Sequence, residues 1–320
     1  MQKIIDSILE LKDLDLPVYI AGHINPDDDS IGSCLGMAFL LESLGIHSLV
    51  LLDNKDKDVL KNHLYQARVT NTVLHDDYVF VAMDLNETYR LNKFEKYYLS
   101  AKKKINIDHH QGNNTGADTI FSNPQASSTC EIVYNIISQI NKDLLREVEL
   151  CHSLYTGILT DTKCFAKRLS YDTLVIAQDL INSGVDYETI IAKTIQFRTL
   201  YQFRALSKLI NDLHNEELFD YVVIDKTLPE YANLSHNDIV KVLAEEIRKI
   251  DGIDLLLVLI KNGDKITAKV ASNISQNAHI IATHFGGGGH KGEAGFTTDL
   301  TAEEILAEAR EFLPTLEENG

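Results

Sequence analysis

The sequence predicts an α/β protein with two domains, on three observations. In the first half of the chain, short apolar runs of strand length alternate with helical patterns, which is typical of βαβ units in a mostly parallel sheet flanked by helices. A second alternating unit begins after a long helical stretch. The length of 320 residues exceeds what a single hydrophobic core usually holds. We therefore expect a first domain over residues 1–185, a helical connector over 186–215 and a smaller α/β domain over 216–320, with a cleft between the domains.

The elements of the first domain follow from apolar periodicity. Buried strands are predicted at 18–21, 48–52, 78–83 and 104–107, and helices at 30–44, 127–140, 144–159 and 172–182. Gly45 stands where the C-terminal cap of the first of these helices belongs.

The second domain is predicted in the same way. Strands are expected at 221–224, 255–260 and 265–270, and helices at 235–249, 278–284 and 301–312. Asn262 and Gly263 predict a tight hairpin turn between two of the strands, because both residues tolerate positive φ.

Composition and charge exclude several classes of function. The chain has 47 acidic against 30 basic residues, a formal charge of −17, which argues against a protein that coats long nucleic acid. No apolar run approaches the length of a membrane span, and the N-terminus lacks the layout of a signal peptide, so we expect a cytoplasmic protein without a membrane partner. The four cysteines form no CxxC pair and are expected to be reduced thiols.

One imidazole and three carboxylates stand together in the segment HINPDDDSIGS. His23 precedes Asp27, Asp28 and Asp29, between a predicted strand and a predicted helix. Adjacent carboxylates repel one another, so their concentration indicates a bound cation. The alternative is a solvated acidic loop in which Asp29 or Ser30 caps the helix.

Three further segments place carboxylates or imidazoles at the ends of predicted elements. Asp84 ends an apolar strand, and Asp108-His109-His110 follows the next one. Asp161 ends an apolar helix, where the negative end of the helix dipole disfavours an unpaired carboxylate. Each signal alone is also compatible with a turn, a surface histidine pair or a frayed helix end.

Together these segments predict a metal site. Its ligands would be two imidazoles and four carboxylates: His23, Asp27, Asp29, Asp84, His109 and Asp161. A mixed oxygen and nitrogen set suits Mn²⁺ or Mg²⁺ better than structural zinc. Because four carboxylates balance two divalent ions, we expect two Mn²⁺ ions, with Mg²⁺ or Co²⁺ as possible substitutes.

A glycine run near the C-terminus predicts phosphate binding. Gly286, Gly287, Gly288 and Gly289 would let backbone N–H groups approach an anion, and His290 and Lys291 would add cationic donors. A flexible loop is the alternative.

These motifs in this order resemble the DHH phosphoesterase family with its DHH-associated C-terminal domain. The resemblance covers nearly the whole chain and is strongest to the bacterial nano-RNase branch, whose members are oligoribonucleases and pAp (3′-phosphoadenosine 5′-phosphate) phosphatases. It implies the six metal ligands above. It also implies that His110 contacts the scissile phosphate, that Asp108 orients the histidines, and that His290 grips the substrate, with Asn113 as a further substrate contact.

Two positions depart from the family pattern. The family usually has an arginine on the strand before the glycine run, where this chain has Lys269, which could serve as a phosphate contact but lacks the bidentate fork of arginine. Lys163 stands where the family often has glycine.

The resemblance implies short oligonucleotides or nucleotide bisphosphates as substrates. The net charge of −17 predicts that long duplexes do not bind. Three hydrolytic alternatives remain open: a cyclic-dinucleotide phosphodiesterase, an exopolyphosphatase and a pyrophosphatase. A non-catalytic nucleotide sensor is the alternative from another class. A homodimer is possible.

Overall fold

The computed structural model describes residues 1–193, 200–231, 244–247, 249–273, 278–290 and 292–317. The chain divides into two units, Met1–Phe197 and Arg198–Gly320. The predicted connector spans this division, and its residues 194–199 lie outside the described residues.

The first unit contains eight α-helices and six strands within its described residues. The helices are α1 (Gln2–Leu9), α2 (Leu11–Leu14), α3 (Asp28–Ser43), α4 (Glu95–Ser100), α5 (Thr129–Ile140), α6 (Val148–Asp161), α7 (Tyr171–Asn182) and α8 (Tyr187–Ile191). The strands are β1 (Val18–Ala21), β2 (Ser48–Leu51), β3 (Val69–Thr70), β4 (Val79–Met83), β5 (Lys103–Asp108) and β6 (Thr119–Ser122). Short 3-10 helices cover Asn54–Asn62, Thr88–Phe94 and Lys142–Arg146.

All six strands of this unit are parallel and lie in the order β3-β2-β1-β4-β5-β6. The connections therefore run outward in opposite directions from β1 and β4. In such a sheet a crevice opens beyond the carboxyl ends of the two central strands, and ligands bind there. The confirmed fold class thus also locates the site.

The sheet is covered on both faces, as parallel sheets usually are. Val18 and Ile20 of β1 pack into a core with α1, α3, α5 and α6, while Tyr19 and Ala21 pack into a second core on the other face. Every residue of β1 and β4 is buried, which explains why both read as continuous apolar runs in the sequence.

The predicted elements agree with the structure except in detail. The helix predicted over 144–159 is broken at Glu147, whose extended backbone separates the 3-10 helix Lys142–Arg146 from α6. The apolar period continues through the break because Leu145 and Leu150 pack into the same core. The strands β3 and β6 were not predicted, since both are short and only partly buried.

The second unit contains a six-stranded sheet in the order β11-β12-β10-β9-β8-β7, in which only β8 and β9 are parallel. Its strands are β7 (His214–Asn215), β8 (Asp220–Asp225), β9 (Leu255–Asn262), β10 (Lys265–Ser272), β11 (Gly288–His290) and β12 (Glu293–Thr298). Its described helices are α9 (Leu200–Asn211), α10 (Ala244–Ile247), α11 (Ala278–His284) and α12 (Ala302–Glu317). Most of the helix predicted over 235–249 lies outside the described residues.

The predicted hairpin forms, but its turn lies one residue further along the chain. Asn262 pairs with Lys265, so the two turn residues are Gly263 and Asp264. Of these only Gly263 has positive φ, at 61°, which is the pattern of a type II′ turn with glycine at its first position.

None of the helices in the described part of the chain has the length and apolarity needed to cross a membrane.

Candidate metal centre

The loops that follow the central strands carry the predicted ligands. His23 follows the end of β1 by two residues, Asp84 follows β4 directly, and His109 follows β5 directly. Because these strands are parallel neighbours, their carboxyl ends meet at one edge of the sheet. The strand order therefore brings together residues that lie about 20 to 60 positions apart in the sequence.

Two helices complete the centre. Asp27 is the N-cap of α3, where its Oδ1 accepts a hydrogen bond from the backbone N–H of Ser30 at 3.1 Å. Asp161 is the last residue of α6, and α6 crosses α3 closely at Gly157. A Cβ at Gly157 would lie only 3.0 Å from the Cα of Asp29. This close crossing brings Asp161 to within reach of the ligands on α3.

Asp84 lies between the two ligand histidines. Its Oδ2 is 3.3 Å from His23 Nε2, and its Oδ1 is 3.5 Å from His109 Nε2. Thr129 Oγ1 donates a hydrogen bond to Oδ1 at 3.0 Å. The backbone of Asp84 is left-handed, with φ of 56°, which short polar residues adopt more readily than others. One carboxylate thus faces both halves of the centre.

The ligand atoms form two groups that could each hold an ion. One consists of His23, Asp27 and Asp84, and the other of Asp29, His109 and Asp161; within each group, the ligand atoms lie within 4.8 Å of one another. A third group, Asp84 with His109 and His110 of the Asp108-His109-His110 sequence (the DHH segment), shares a residue with each of the other two groups. The structure therefore brings together all six predicted ligands.

Both ligand histidines present the same nitrogen to the centre. Nδ1 of His23 lies 2.8 Å from the carbonyl oxygen of Ile24, and Nδ1 of His109 lies 3.4 Å from that of Ala126. A proton on each Nδ1 would donate to these carbonyls and leave Nε2 as the electron-pair donor. Such a backbone contact usually sets the tautomer and ring orientation of a metal-binding histidine.

The two carboxylates beside Asp27 have different surroundings. Asp29 accepts hydrogen bonds from the backbone N–H groups of Thr129 and Cys130, at 2.8 and 2.9 Å, at the start of α5. Asp28 instead accepts one from Asn62, and its Oδ1 is 3.4 Å from Nε2 of the buried His63. The helix cap proposed as the alternative exists, but Asp27 provides it, not Asp29 or Ser30.

Asp108 and His110 form a separate pair. Nδ1 of His110 donates to Oδ1 of Asp108 at 2.8 Å, and Asp108 is fully buried. Burial by itself lowers the pKa of His110, but the hydrogen bond to Asp108 and the charge of Asp84 hold that pKa above its usual value. His110 is therefore the ring in this segment that carries a proton most readily.

Without cations the carboxylates perturb one another. Burial, together with the charges of Asp84 and Asp161, raises the pKa of Asp29 well above its usual value. Burial, together with the charge of Asp84, raises the pKa of Asp161 to about 7. Although burial opposes ionisation of Asp84 too, its contacts with His23, His109 and His110 lower its pKa. The centre thus contains more buried negative charge than its own histidines balance.

The donor set fits divalent cations. Oδ2 of Asp161 is buried without a hydrogen-bond partner, and it lies 3.6 Å from Nε2 of His109. A buried carboxylate oxygen without a donor is costly unless a cation approaches it. Oxygen ligands with two imidazoles, at a helix N-terminus and a strand edge, provide such a cation with hard ligands.

Metal binding is expected to release protons on the acidic side of pH 7. The pKa of Asp161 is about 7 in the folded metal-free protein, against about 3.9 for an unfolded aspartate. The folded state therefore binds more protons between these values, and the stability of the metal-free protein should fall as the pH rises through them. Calorimetry of Mn²⁺ binding in buffers of different ionisation enthalpy measures the release. An Asp161→Asn variant should release fewer protons, and equal release by both proteins would contradict this origin.

Thr129→Val is expected to weaken metal binding by about 10–100-fold, because the hydroxyl that fixes Asp84 is lost while the side-chain volume is kept. Thr129→Ser, which keeps the hydroxyl, is the control. Titration of Mn²⁺ followed by calorimetry distinguishes the two. Unchanged affinity in the valine variant would show that Asp84 needs no such support.

The predicted substrate contacts are less uniformly placed. Nδ2 of Asn113 donates to Leu85 O and Asn106 Oδ1, and its Oδ1 accepts from Thr115. These contacts fix the loop after the DHH segment and occupy the whole amide. A substrate role for Asn113 remains a prediction.

The glycine run lies in the second unit, beside an open crevice of about 570 Å³ lined by β10, β11 and β12. A Cβ at Gly287 would lie 2.2 Å from the carbonyl oxygen of Gly295, so only glycine fits there. Gly286 and Gly289 have positive φ, and Gly288 adjoins open space. Lys269 lines the same crevice, buried, with Nζ 2.7 Å from Glu293 Oε1. His290 ends β11, and Lys291 lies outside the described residues.

Sequence reasoning missed Arg168 and Arg90. Nη2 of Arg168 donates to Oδ1 of Asp161 at 3.1 Å. Arg90 lies on the 3-10 helix after Asp84, where its carbonyl oxygen accepts from the N–H of Ile24 at 2.7 Å. No motif marked either residue, although a basic residue shortly after a ligand could have been a signal.

The fold and the site together define an α/β protein with a candidate metal centre at the switch point of a parallel sheet. Residues 17–158 match the DHH family, N-terminal domain, and residues 225–315 match the DHHA1 domain. The chain therefore belongs to the DHH family and combines its N-terminal domain with a DHHA1 domain. This confirms the resemblance drawn from the motifs.

Curated relatives and a solved structure agree with this membership. The chain is 28% identical over 315 residues to the bifunctional oligoribonuclease and PAP phosphatase NrnA of Thermus thermophilus, covering 95% of this chain and 92% of that one. It is 23% identical to the cyclic-di-AMP phosphodiesterase GdpP of Geobacillus thermodenitrificans, covering 95% of this chain but 48% of that protein. An exopolyphosphatase-related protein from Bacteroides fragilis has the same fold, with a TM-score of 0.83, 21% identity, and coverage of 99% and 98% of the two chains.

Proposed function

We propose that this protein is a metal-dependent phosphoesterase that hydrolyses short oligonucleotides, nucleotide bisphosphates such as pAp, or both, with two Mn²⁺ ions as its cofactor. The observation that carries the proposal is the position of Asp84, whose two oxygens face separate ligand groups at 3.3 and 3.5 Å. A shared carboxylate between two groups of oxygen and nitrogen ligands is suited to a pair of ions. The four carboxylates match the charge of two divalent cations.

Each ligand group has defined members. His23, Asp27 and Asp84 would hold one ion, and Asp29, His109 and Asp161 the other, with Asp84 shared. When bound, such a pair of ions supplies Lewis-acid polarisation of the phosphoryl oxygens and a more acidic water. Mg²⁺ or Co²⁺ could replace Mn²⁺ at such ligands.

Residues around the metal centre would contact the substrate and hold the ligands in position. His110 carries a proton readily and would donate a hydrogen bond to a phosphoryl oxygen as negative charge develops there. Asp108 keeps that ring oriented through the 2.8 Å hydrogen bond at Nδ1. Thr129 and the first N–H groups of α5 hold Asp84 and Asp29 in place, so little rearrangement is needed when the substrate binds.

The second unit would bind the substrate's remaining phosphate or nucleotide. The backbone of Gly286–Gly289 can approach an anion closely, and Lys269 lies in the same crevice. We assign His290 and Lys291 to the same role on the basis of the family resemblance.

Two facts favour a short nucleotide substrate. The relative that this chain matches over nearly its full length bears the name of an oligoribonuclease and PAP phosphatase. The net charge of −17 makes each phosphate outside the site unfavourable, so long duplexes should bind poorly. The match to the cyclic-di-AMP phosphodiesterase GdpP covers less than half of that protein. Hydrolysis of cyclic dinucleotides is therefore the second candidate activity.

A substrate panel tests the proposal. The Mn²⁺-loaded protein is assayed with pAp, RNA and DNA of two to five nucleotides, a cyclic dinucleotide, inorganic pyrophosphate and polyphosphate. We expect turnover of pAp or of the short RNAs, little turnover of pyrophosphate, and loss of activity with EDTA. Turnover of only polyphosphate or only the cyclic dinucleotide would show that this compound, and not pAp or short RNA, represents the substrate class. Tight nucleotide binding without any turnover would favour a sensor. Sedimentation equilibrium of the same sample tests whether the protein is a homodimer.

A further inference from the structure

We propose that Arg90 is a substrate-binding residue whose guanidinium contacts the non-bridging oxygens of the phosphate held at the metal centre. The inference rests on the proposed function and adds to it the side chain that neutralises the substrate's own charge.

The position of Arg90 is fixed by its backbone. It lies on the 3-10 helix Thr88–Phe94, shortly after Asp84, and its carbonyl oxygen accepts the N–H of Ile24 at 2.7 Å. Leu91 and Phe94 anchor this segment in the core on the far face of the sheet. The residue is thus tied on one side to Asp84 and on the other to the residue next to His23. An anchored segment can present a side chain with little loss of entropy on binding.

Arg90 differs from the other cations nearby in having no ion-pair or side-chain hydrogen-bond partner within the described ranges, although it is half-buried. Arg168 donates to Asp161 at 3.1 Å, and Lys93 on the same 3-10 helix lies 3.1 Å from Asp53. The carboxylates of the neighbouring centre would be balanced by metal ions. The guanidinium of the half-buried Arg90, which has no carboxylate partner of its own in the described ranges, could therefore bind an additional anion. Its planar fork of N–H donors matches two phosphoryl oxygens.

Three substitutions separate this role from a structural one. Arg90→Gln removes the charge, Arg90→Lys keeps the charge but not the fork, and Lys93→Gln removes one charge from the same segment as a control. We expect kcat/KM for pAp or a short RNA to fall about 10²–10³-fold in the glutamine variant and less in the lysine variant. The Lys93→Gln protein should retain wild-type kinetics. Mn²⁺ affinity, measured by calorimetry, should stay within a few-fold of wild type in all three. Guanidinium ion should partly restore activity to an Arg90→Ala protein, a rescue that a merely structural role would not produce.

Binding of orthophosphate to the Mn²⁺-loaded protein gives a readout that needs no turnover. We expect at least a tenfold loss of phosphate affinity in Arg90→Gln and none in Lys93→Gln. If wild type hydrolyses nothing in the panel but this difference is found, the proposed function fails and the assignment of Arg90 stands. If wild type is active while Arg90→Gln matches it in kinetics and phosphate binding, the assignment is overturned. Loss of Mn²⁺ binding in Arg90→Gln in parallel with activity overturns it too, because the residue would then be supporting the ligands.

Discussion

Replacing Asp84 with asparagine is expected to reduce Mn²⁺-dependent hydrolysis by about a thousand-fold or more and to abolish the rise in melting temperature on adding Mn²⁺. Asparagine has nearly the shape of aspartate and tolerates the left-handed backbone at this position, where φ is 56°. The substitution therefore removes mainly charge and one good ligand. Because the two oxygens of Asp84 face His23 and His109 separately, one side of the centre loses its oxygen donor and the other keeps only a neutral amide oxygen.

The control is Asp28→Asn, the same change at the first residue of α3. Asp28 contacts Asn62 and His63. The Asp28→Asn protein should therefore retain most of the activity. The metal-free Asp84→Asn protein should unfold near the temperature of metal-free wild type, because the lost contact with His23 is offset by weaker repulsion at Asp29 and Asp161. Near-wild-type turnover in the metal-loaded Asp84→Asn protein would end the two-ion proposal. Equal losses in both variants would show that the carboxylates near the centre act through their summed charge, not through Asp84 in particular.

Gly157→Ala is expected to destabilise the first unit by about 1–3 kcal/mol and to weaken Mn²⁺ binding. The new methyl group would lie 2.3 Å from Cys130 Sγ, 3.0 Å from Asp29 Cα and 3.1 Å from the carbonyl oxygen of Asp28. Two of these atoms belong to backbone, so α6 must move away from α3. That movement separates Asp161 from Asp29, which lie in one ligand group. Alanine's better helix propensity, worth about 1 kcal/mol, is too small to offset the clash.

Thermal unfolding and Mn²⁺ titration measure the two effects. Gly292→Ala is a control for the addition of a methyl group to a glycine. The atom nearest to the added methyl group would be 3.5 Å away, and the φ of Gly292 is not in the positive region. Adding Cys130→Ala to Gly157→Ala removes the closest contact and should recover part of the lost stability, as a double-mutant cycle would show. A Gly157→Ala protein with unchanged stability and metal affinity would mean that the two helices can separate without disturbing the ligands.

The family pattern often has glycine at the position that Lys163 occupies, and the backbone conformation explains this preference. Lys163, Cys164 and Phe165 all have positive φ, at 50°, 58° and 63°, immediately after α6. Glycine adopts this conformation without the steric cost that other residues incur. The sequence shows that Lys163 departs from the family pattern. The positive φ of its backbone explains why glycine is common at this position.

The fold class and the chemistry of the site can both be predicted from the amino-acid sequence alone. Alternating strands and helices predicted the parallel sheet because each buried strand needs a run of apolar residues. Carboxylates and imidazoles stood out at the ends of those strands because polar groups are rarely concentrated there without a ligand. Both signals are local, so both could be found in a linear chain.

Which of the similar residues act together depends on how the chain packs in three dimensions. Asp27, Asp28 and Asp29 are equivalent in the sequence, but successive residues at the start of a helix point in different directions, so Asp28 contacts His63 while Asp29 meets α5. The placement of Asp84 between two histidines depends on the order of strands in the sheet. No motif marks Arg90 in the sequence, and its position depends on a hydrogen bond between its carbonyl oxygen and the N–H of Ile24, which lies in a distant loop. Residue chemistry is thus set along the chain, whereas the sharing of a carboxylate and the placement of a charge depend on long-range packing.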